Sequence, residues 1–116
     1  MEKENAVLRI TFDFALQVII YCEKLEEDKK FVISKQLLKS GTSIGANVRE
    51  AQSAESKTDF IHKLKIAAKE ADETEYWLLL CKQSKSYPNP ELLLENIITI
   101  KKLLSKIIFS SKNSLK

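Results

Sequence analysis

The chain has 116 residues, enough for one domain with a respectable core, and a second domain is not expected. Hydrophobic residues make up 44% and charged residues 30%, with two glycines and two prolines, a soluble globular composition poor in turn formers that favours long helices. A formal net charge of +3 does not by itself call for a nucleic-acid partner, no stretch reaches membrane-spanning length, and the polar Met1-Glu2-Lys3-Glu4-Asn5 is not a secretory leader. Cys22 and Cys81 stand far apart among apolar neighbours, which suits buried, reduced thiols and a cytoplasmic location; a disulfide is not required.

Three polar breaks, at residues 26–30, 53–58 and 84–90, leave four segments with helical periodicity. In the first, Leu8, Phe12, Ala15, Ile19 and Cys22 recur at spacings of 4, 3, 4 and 3 and predict the buried face. The second predicts a seam of Ile33, Leu37, Gly41, Ile44, Val48 and Ala51. In the third the seam is Phe60, Leu64, Ala67, Ala71, Thr74, Leu78 and Cys81, and in the fourth Leu93, Ile97, Ile100, Leu104 and Ile107. Ser56-Lys57-Thr58-Asp59 reads as a capping box with Asp in place of Glu or Gln. Asn89-Pro90-Glu91 offers a cap acceptor, a proline at the first helical position and an acid at the positive end of the helix dipole. Connections this short join neighbours, so the expected fold is all-α, an antiparallel up-and-down four-helix bundle forming a single domain over residues 1–116.

Both glycines lie in SGTSIGANVREA, residues 40–51, where Gly41-Thr42-Ser43-Ile44-Gly45 matches the nucleophile pattern G-x-S-x-G. That chemistry needs a strand and a sharp turn at Ser43, together with a base, and His62 is the sole histidine. Helical periodicity runs through Ser43 instead. Two helix-interior glycines cost about 1 kcal/mol each relative to alanine, so they call for close packing. Folding the second and third helices into a hairpin about residue 55 sets Gly45 near Ala67 and Gly41 near Ala71, a predicted tight crossing of small residues. Ser40, Thr42 or Ser43 can then bond back to a carbonyl one turn earlier.

The stretch from Ser40 to Leu80 resembles the signature of four-helix bundle proteins encoded within intervening sequences of bacterial 23S rRNA genes. The resemblance rests on the Ser43-Ile44-Gly45-Ala46-Asn47 run, then Asp59-Phe60-Ile61, then Glu73-Thr74-Glu75-Tyr76-Trp77-Leu78, in that order. That family is also similar in fold to the accessory proteins of diversity-generating retroelements. What the resemblance implies is a homopentameric bundle without known catalysis or cofactor, suspected of binding RNA or DNA and, in the retroelement relatives, a reverse transcriptase.

The residues themselves also ask for partners. In the first helix Ile10, Phe14 and Tyr21 form a second apolar strip almost opposite the main seam. Leu94, Ile98 and Ile108 widen the apolar arc of the fourth helix, and residues 76–81 around Trp77 are apolar all round. Ile10, Phe14, Tyr21, Trp77, Leu94 and Ile98 are therefore candidates for an oligomer interface; the alternative is that wide apolar faces sit between neighbouring helices of one bundle. After Glu95 the chain carries no acid, and Lys101, Lys102, Lys106 and Lys112 are candidate nucleic-acid contacts, with a solvated face as the plain alternative. Asp59 and His62 could place two metal ligands on one helix face, but His62 reads better as a surface residue, and no cofactor is expected. Glu75 is expected to pair with Arg49 or Asn47, and Lys69 with Glu73. The sequence thus points to a non-enzymatic, self-assembling bundle that binds nucleic acid through a basic surface; the competing reading is a protein-only scaffold.

Overall fold

A computed structural model describes residues 2–114, with side chains from residue 6 onward. Four helices follow one another: α1 (Glu2–Glu27), α2 (Phe31–Ala51), α3 (Lys57–Gln83) and α4 (Glu91–Asn113), with no strand among the described residues. They form a rod of 50 × 21 × 21 Å. Connections of three, five and seven residues force consecutive helices to run antiparallel. Each helix packs side by side on two neighbours, α1 on α2, α2 on α3, α3 on α4 and α4 back on α1, while the backbones of the diagonal pairs stay apart. This is the expected up-and-down bundle.

The helix ends follow from local chemistry. Lys30 N–H donates to the Leu25 carbonyl (2.8 Å) and Lys29 N–H to that of Glu26 (2.9 Å), a Schellman closure that puts Lys29 at φ 62°, a conformation glycine takes more readily. Ser56 caps α3 by accepting from Asp59 N–H at 3.0 Å. Asp59 answers by accepting from Glu55 N–H at 3.4 Å, one residue further back than in the usual box. At α4, Asn89 Oδ1 accepts from Glu91 N–H at 3.0 Å, and Pro90 sits just before the helix rather than at its first position.

The seams of α2, α3 and α4 lie where periodicity puts them, with Leu37, Ile44, Leu64, Leu78, Ile97 and Leu104 fully buried. The face of α1 is a correction. Its core strip is Val7, Thr11, Phe14, Val18, Tyr21 and Leu25, whereas Phe12 is 61% exposed and Phe14 only 2%. Thr11 hid this strip by interrupting the apolar pattern. Its hydroxyl donates to the Val7 carbonyl at 2.7 Å, so the buried polar group carries no unmet hydrogen bond.

Other buried hydroxyls tie helices together. Ser34 Oγ donates to the Cys22 carbonyl at 3.2 Å, between α2 and α1. Thr74 Oγ1 and Ser40 Oγ hydrogen-bond at 2.9 Å between α3 and α2. The looser α1–α4 side is pinned by Tyr21 OH donating to the Pro88 carbonyl at 2.6 Å and by Asn96 donating to Gln17 at 2.8 Å. Cys22 and Cys81 are both free and buried. Burial pushes the Cys22 thiol up to about 11 and raises Cys81 as well, so neither is poised as a nucleophile.

Candidate interaction surfaces

The glycines of the 40–51 stretch act on a different neighbour from the one expected. A methyl group at Gly41 would lie 2.9 Å from both γ carbons of Val18, and one at Gly45 would lie 3.2 Å from the Thr11 carbonyl oxygen. Both glycines therefore close α2 onto α1, not onto α3. Ala67 and Ala71 are fully buried in the bundle core but are not what the glycines meet. Position in a hairpin relates α2 only to the helix next in sequence, whereas α1 is an equal neighbour of α2 in space. The back-bonding expectation holds: Thr42 Oγ1 donates to the Leu38 carbonyl at 2.7 Å and Ser43 Oγ to that of Lys39 at 2.6 Å. Ser43 sits inside an unbroken helix, without the strand and bend a nucleophile elbow requires.

Beside this close approach lies an apolar groove of about 600 Å³ between α1 and α2. Phe12, Leu16 and Ile19 form one wall, Gly45 and Ala46 the other, and Arg9 and Arg49 stand at one end. Because the α2 wall is built from residues with little or no side chain, the α1 side chains have nothing to lie against and remain exposed, Leu16 at 47% and Ile19 at 39%. Periodicity puts Phe12 and Ile19 in the core, whereas they line this surface, and no pattern in the sequence marks Leu16 or Arg9. The available signal was the pair of glycines one turn apart, which demands a narrow ridge such as Thr11 and Val18 opposite.

The predicted oligomer interface is corrected at its buried members, Phe14 and Tyr21 through the inversion of α1 and Leu94 within α4. Phe14, Tyr21 and Leu94 are core residues of the single bundle, and Ile10 and Trp77 are half-buried against that core, so these five already have partners within the chain. Ile98 is exposed as expected, and Tyr76, Leu79 and Leu80 are exposed on α3. Tyr76 stacks edge-on against Trp77 with ring centroids 5.2 Å apart, and Trp77 Nε1 donates to Glu73 at 3.1 Å.

The lysines divide. Lys101 lies between two acids of α3, its Nζ 2.7 Å from Glu75 Oε1 and 3.0 Å from Asp72 Oδ1. Its expected role as a free cation is corrected: the hydrogen bonds it donates to Glu75 and Asp72 hold its ammonium above the ordinary lysine value. Glu75 accordingly pairs with Lys101 rather than with Arg49 or Asn47, and Asn47 donates to the Ser43 carbonyl instead. Lys102, Lys106 and Lys112 are exposed. Lys112 also approaches Lys65 of α3, and that contact and its charge push the Lys65 ammonium below its ordinary value. Lys69 and Glu73 form no ion pair, and His62 is exposed. Among the described residues, no three Asp, Glu, His or Cys side chains converge to hold a metal, and no helix is long and apolar enough to cross a membrane.

Known proteins place this arrangement. The structure is similar to a crystal structure of a protein of unknown function from the S23 ribosomal protein family of Bacteroides thetaiotaomicron, with 47% sequence identity, a TM-score of 0.85, and coverage of 91% of this chain and 97% of that one. No curated protein matches the sequence. The model of the 23S rRNA-intervening sequence protein family matches residues 3–106, nearly the whole bundle, and the chain belongs to that family.

Proposed function

We propose that this chain is a non-enzymatic assembly module of the cytoplasm, whose α1–α2 groove is covered by another copy of itself and whose α3–α4 lysines, repeated around the assembly, bind RNA or DNA. One observation carries the reading: a soluble bundle with a full core nevertheless leaves Phe12, Leu16 and Ile19 exposed together beside an open apolar groove. The test is mass in solution. A multiple of the 13.3 kDa chain is expected at micromolar concentration, and Phe12→Glu is expected to give a monomer of unchanged helicity, because that side chain lies outside the core. A wild-type monomer overturns the proposal. The same measurement counts the subunits, five by the family resemblance.

The nucleic-acid half of the proposal draws on the close pair Lys65 and Lys112, whose mutual repulsion an anion would relieve, with Lys102 and Lys106 also exposed on α4. Such contacts position a phosphate backbone without reading its sequence, so affinity for a generic RNA duplex is expected to fall steeply with added salt. Lys65→Glu with Lys112→Glu is expected to flatten that slope, while Lys101→Met leaves it nearly unchanged. Absence of binding at low salt removes this half and leaves a protein-only scaffold. A reverse-transcriptase partner rests on the resemblance alone and is tested by co-purification with such an enzyme.

A further inference from the structure

Self-association leaves open which surface covers the groove. We infer that the groove of one copy receives the outer strip of α3 from the next copy, lying parallel to α1, so that copies join head to tail. This rests on the assembly reading above and adds the partner surface and its direction.

Two exposed strips of the chain carry the same axial pattern. Along α1, Arg9 precedes Phe12, Leu16 and Ile19. Along α3, Asp72 and Glu73 precede Tyr76, Leu79 and Leu80. One offset sets Arg9 against Glu73, Phe12 against Tyr76 and Leu16 against Leu80 when the two helices lie parallel. The charges then complement. Arg49 joins Arg9 at the end of the groove, while Asp72 and Glu75 share the single ammonium of Lys101, leaving that trio net negative beside Glu73. Tyr76, steadied by Trp77, suits the part of an aromatic anchor entering a groove floored by Gly45 and Ala46.

The other pairings fare worse. Two grooves facing each other with parallel axes set arginines against arginines, and with antiparallel axes they set Arg9 against Ile19. An antiparallel α3 strip puts its carboxylates against the apolar end of the groove. Direction has a further consequence, because α1 and α3 point the same way within an up-and-down bundle. A parallel contact between them keeps neighbouring bundles aligned, which is the relation of a ring about an axis along the helices and not of a two-fold dimer.

The experiment combines mass in solution with cysteine cross-linking. Both native thiols are first replaced, Cys22→Ala and Cys81→Ala, with circular dichroism confirming the bundle. Leu16→Cys and Leu80→Cys are then introduced singly and together under mild oxidation. Head-to-tail pairing predicts a ladder of covalent multimers on a denaturing gel for the double variant and monomers for each single one. Dimers from a single variant, or no ladder from the double, overturn the pairing while an oligomeric wild type keeps the assembly reading. A wild-type monomer overturns both. As a check that does not depend on cysteine, Arg9→Glu with Arg49→Glu is expected to loosen assembly at least about ten-fold, and adding Asp72→Arg and Glu73→Arg in the same chain is expected to restore it.

Discussion

The α1–α2 and α3–α4 sides of this bundle are held by different physics. On the first, Gly41 and Gly45 let two backbones approach until Val18 and Thr11 fill the space, with little charge involved. On the second, Lys101 bridges Asp72 and Glu75 and Lys82 pairs with Glu91 at 3.0 Å, all partly exposed, over a core of leucine and isoleucine. One contact is governed by volume in a close-packed interior, where a single added carbon matters. The other adds pairs worth roughly 0.2–1 kcal/mol that salt screens. Stability is therefore expected to respond to size on one side and to ionic conditions on the other.

The largest effect is expected from Gly41→Leu, which cannot be seated against a fully buried Val18 and should cost about 3 kcal/mol or more, read by thermal or urea unfolding. Gly41→Ala sharpens the comparison, since an alanine inside a helix ordinarily gains about 1 kcal/mol over glycine. Here the new methyl would sit 2.9 Å from a stiff β-branched side chain, so a net loss is expected, and Val18→Ala in the same chain should recover part of it. A gain from Gly41→Ala alone would show that the helices are not in close contact. Lys101→Met should cost no more than about 1 kcal/mol, and the cost should shrink in high salt. The raised pKa of Lys101 favours the folded state below pH 10.5, and that contribution is lost only as pH climbs beyond it, a titration absent from the Met variant. The smallest effect is expected at the turn between the two helices of the glycine side: Lys29→Gly relieves a left-handed backbone and should gain about 0.5–1 kcal/mol in the same unfolding measurement.

How far the sequence discloses these features depends on how many apolar stripes a helix carries. Helices α2 and α3 offer one dominant stripe each, and α4 a broad arc centred on its seam, so periodicity alone locates the faces they bury. Helix α1 carries apolar residues on two sides, and the choice between them is made by a partner, the flat glycine surface of α2, that periodicity within α1 does not contain. The side without a threonine is mainly the outward one, Cys22 excepted, so Phe14 and Tyr21 belong to the core and not to the predicted interface. Lys101 misled for a related reason: its neighbours in sequence are apolar or basic, while the two carboxylates that hold it come from another helix. The groove, conversely, became visible only once the true core strip was known.

The hydroxyl contact between Ser40 and Thr74 acts beyond the strength of one hydrogen bond. Helices lined by alanine, glycine and leucine present nearly repeating surfaces, so a displacement of one against the other by about 5.4 Å would find similar apolar contacts. Such a slip would break the bond between the helices and leave each hydroxyl only the carbonyl of its own helix, Ser40 that of Leu37 and Thr74 that of Glu70, and this loss favours one alignment of the hairpin over its near-copies. Two small side chains thereby act as a dowel, setting where along the rod every other residue of α3 will stand.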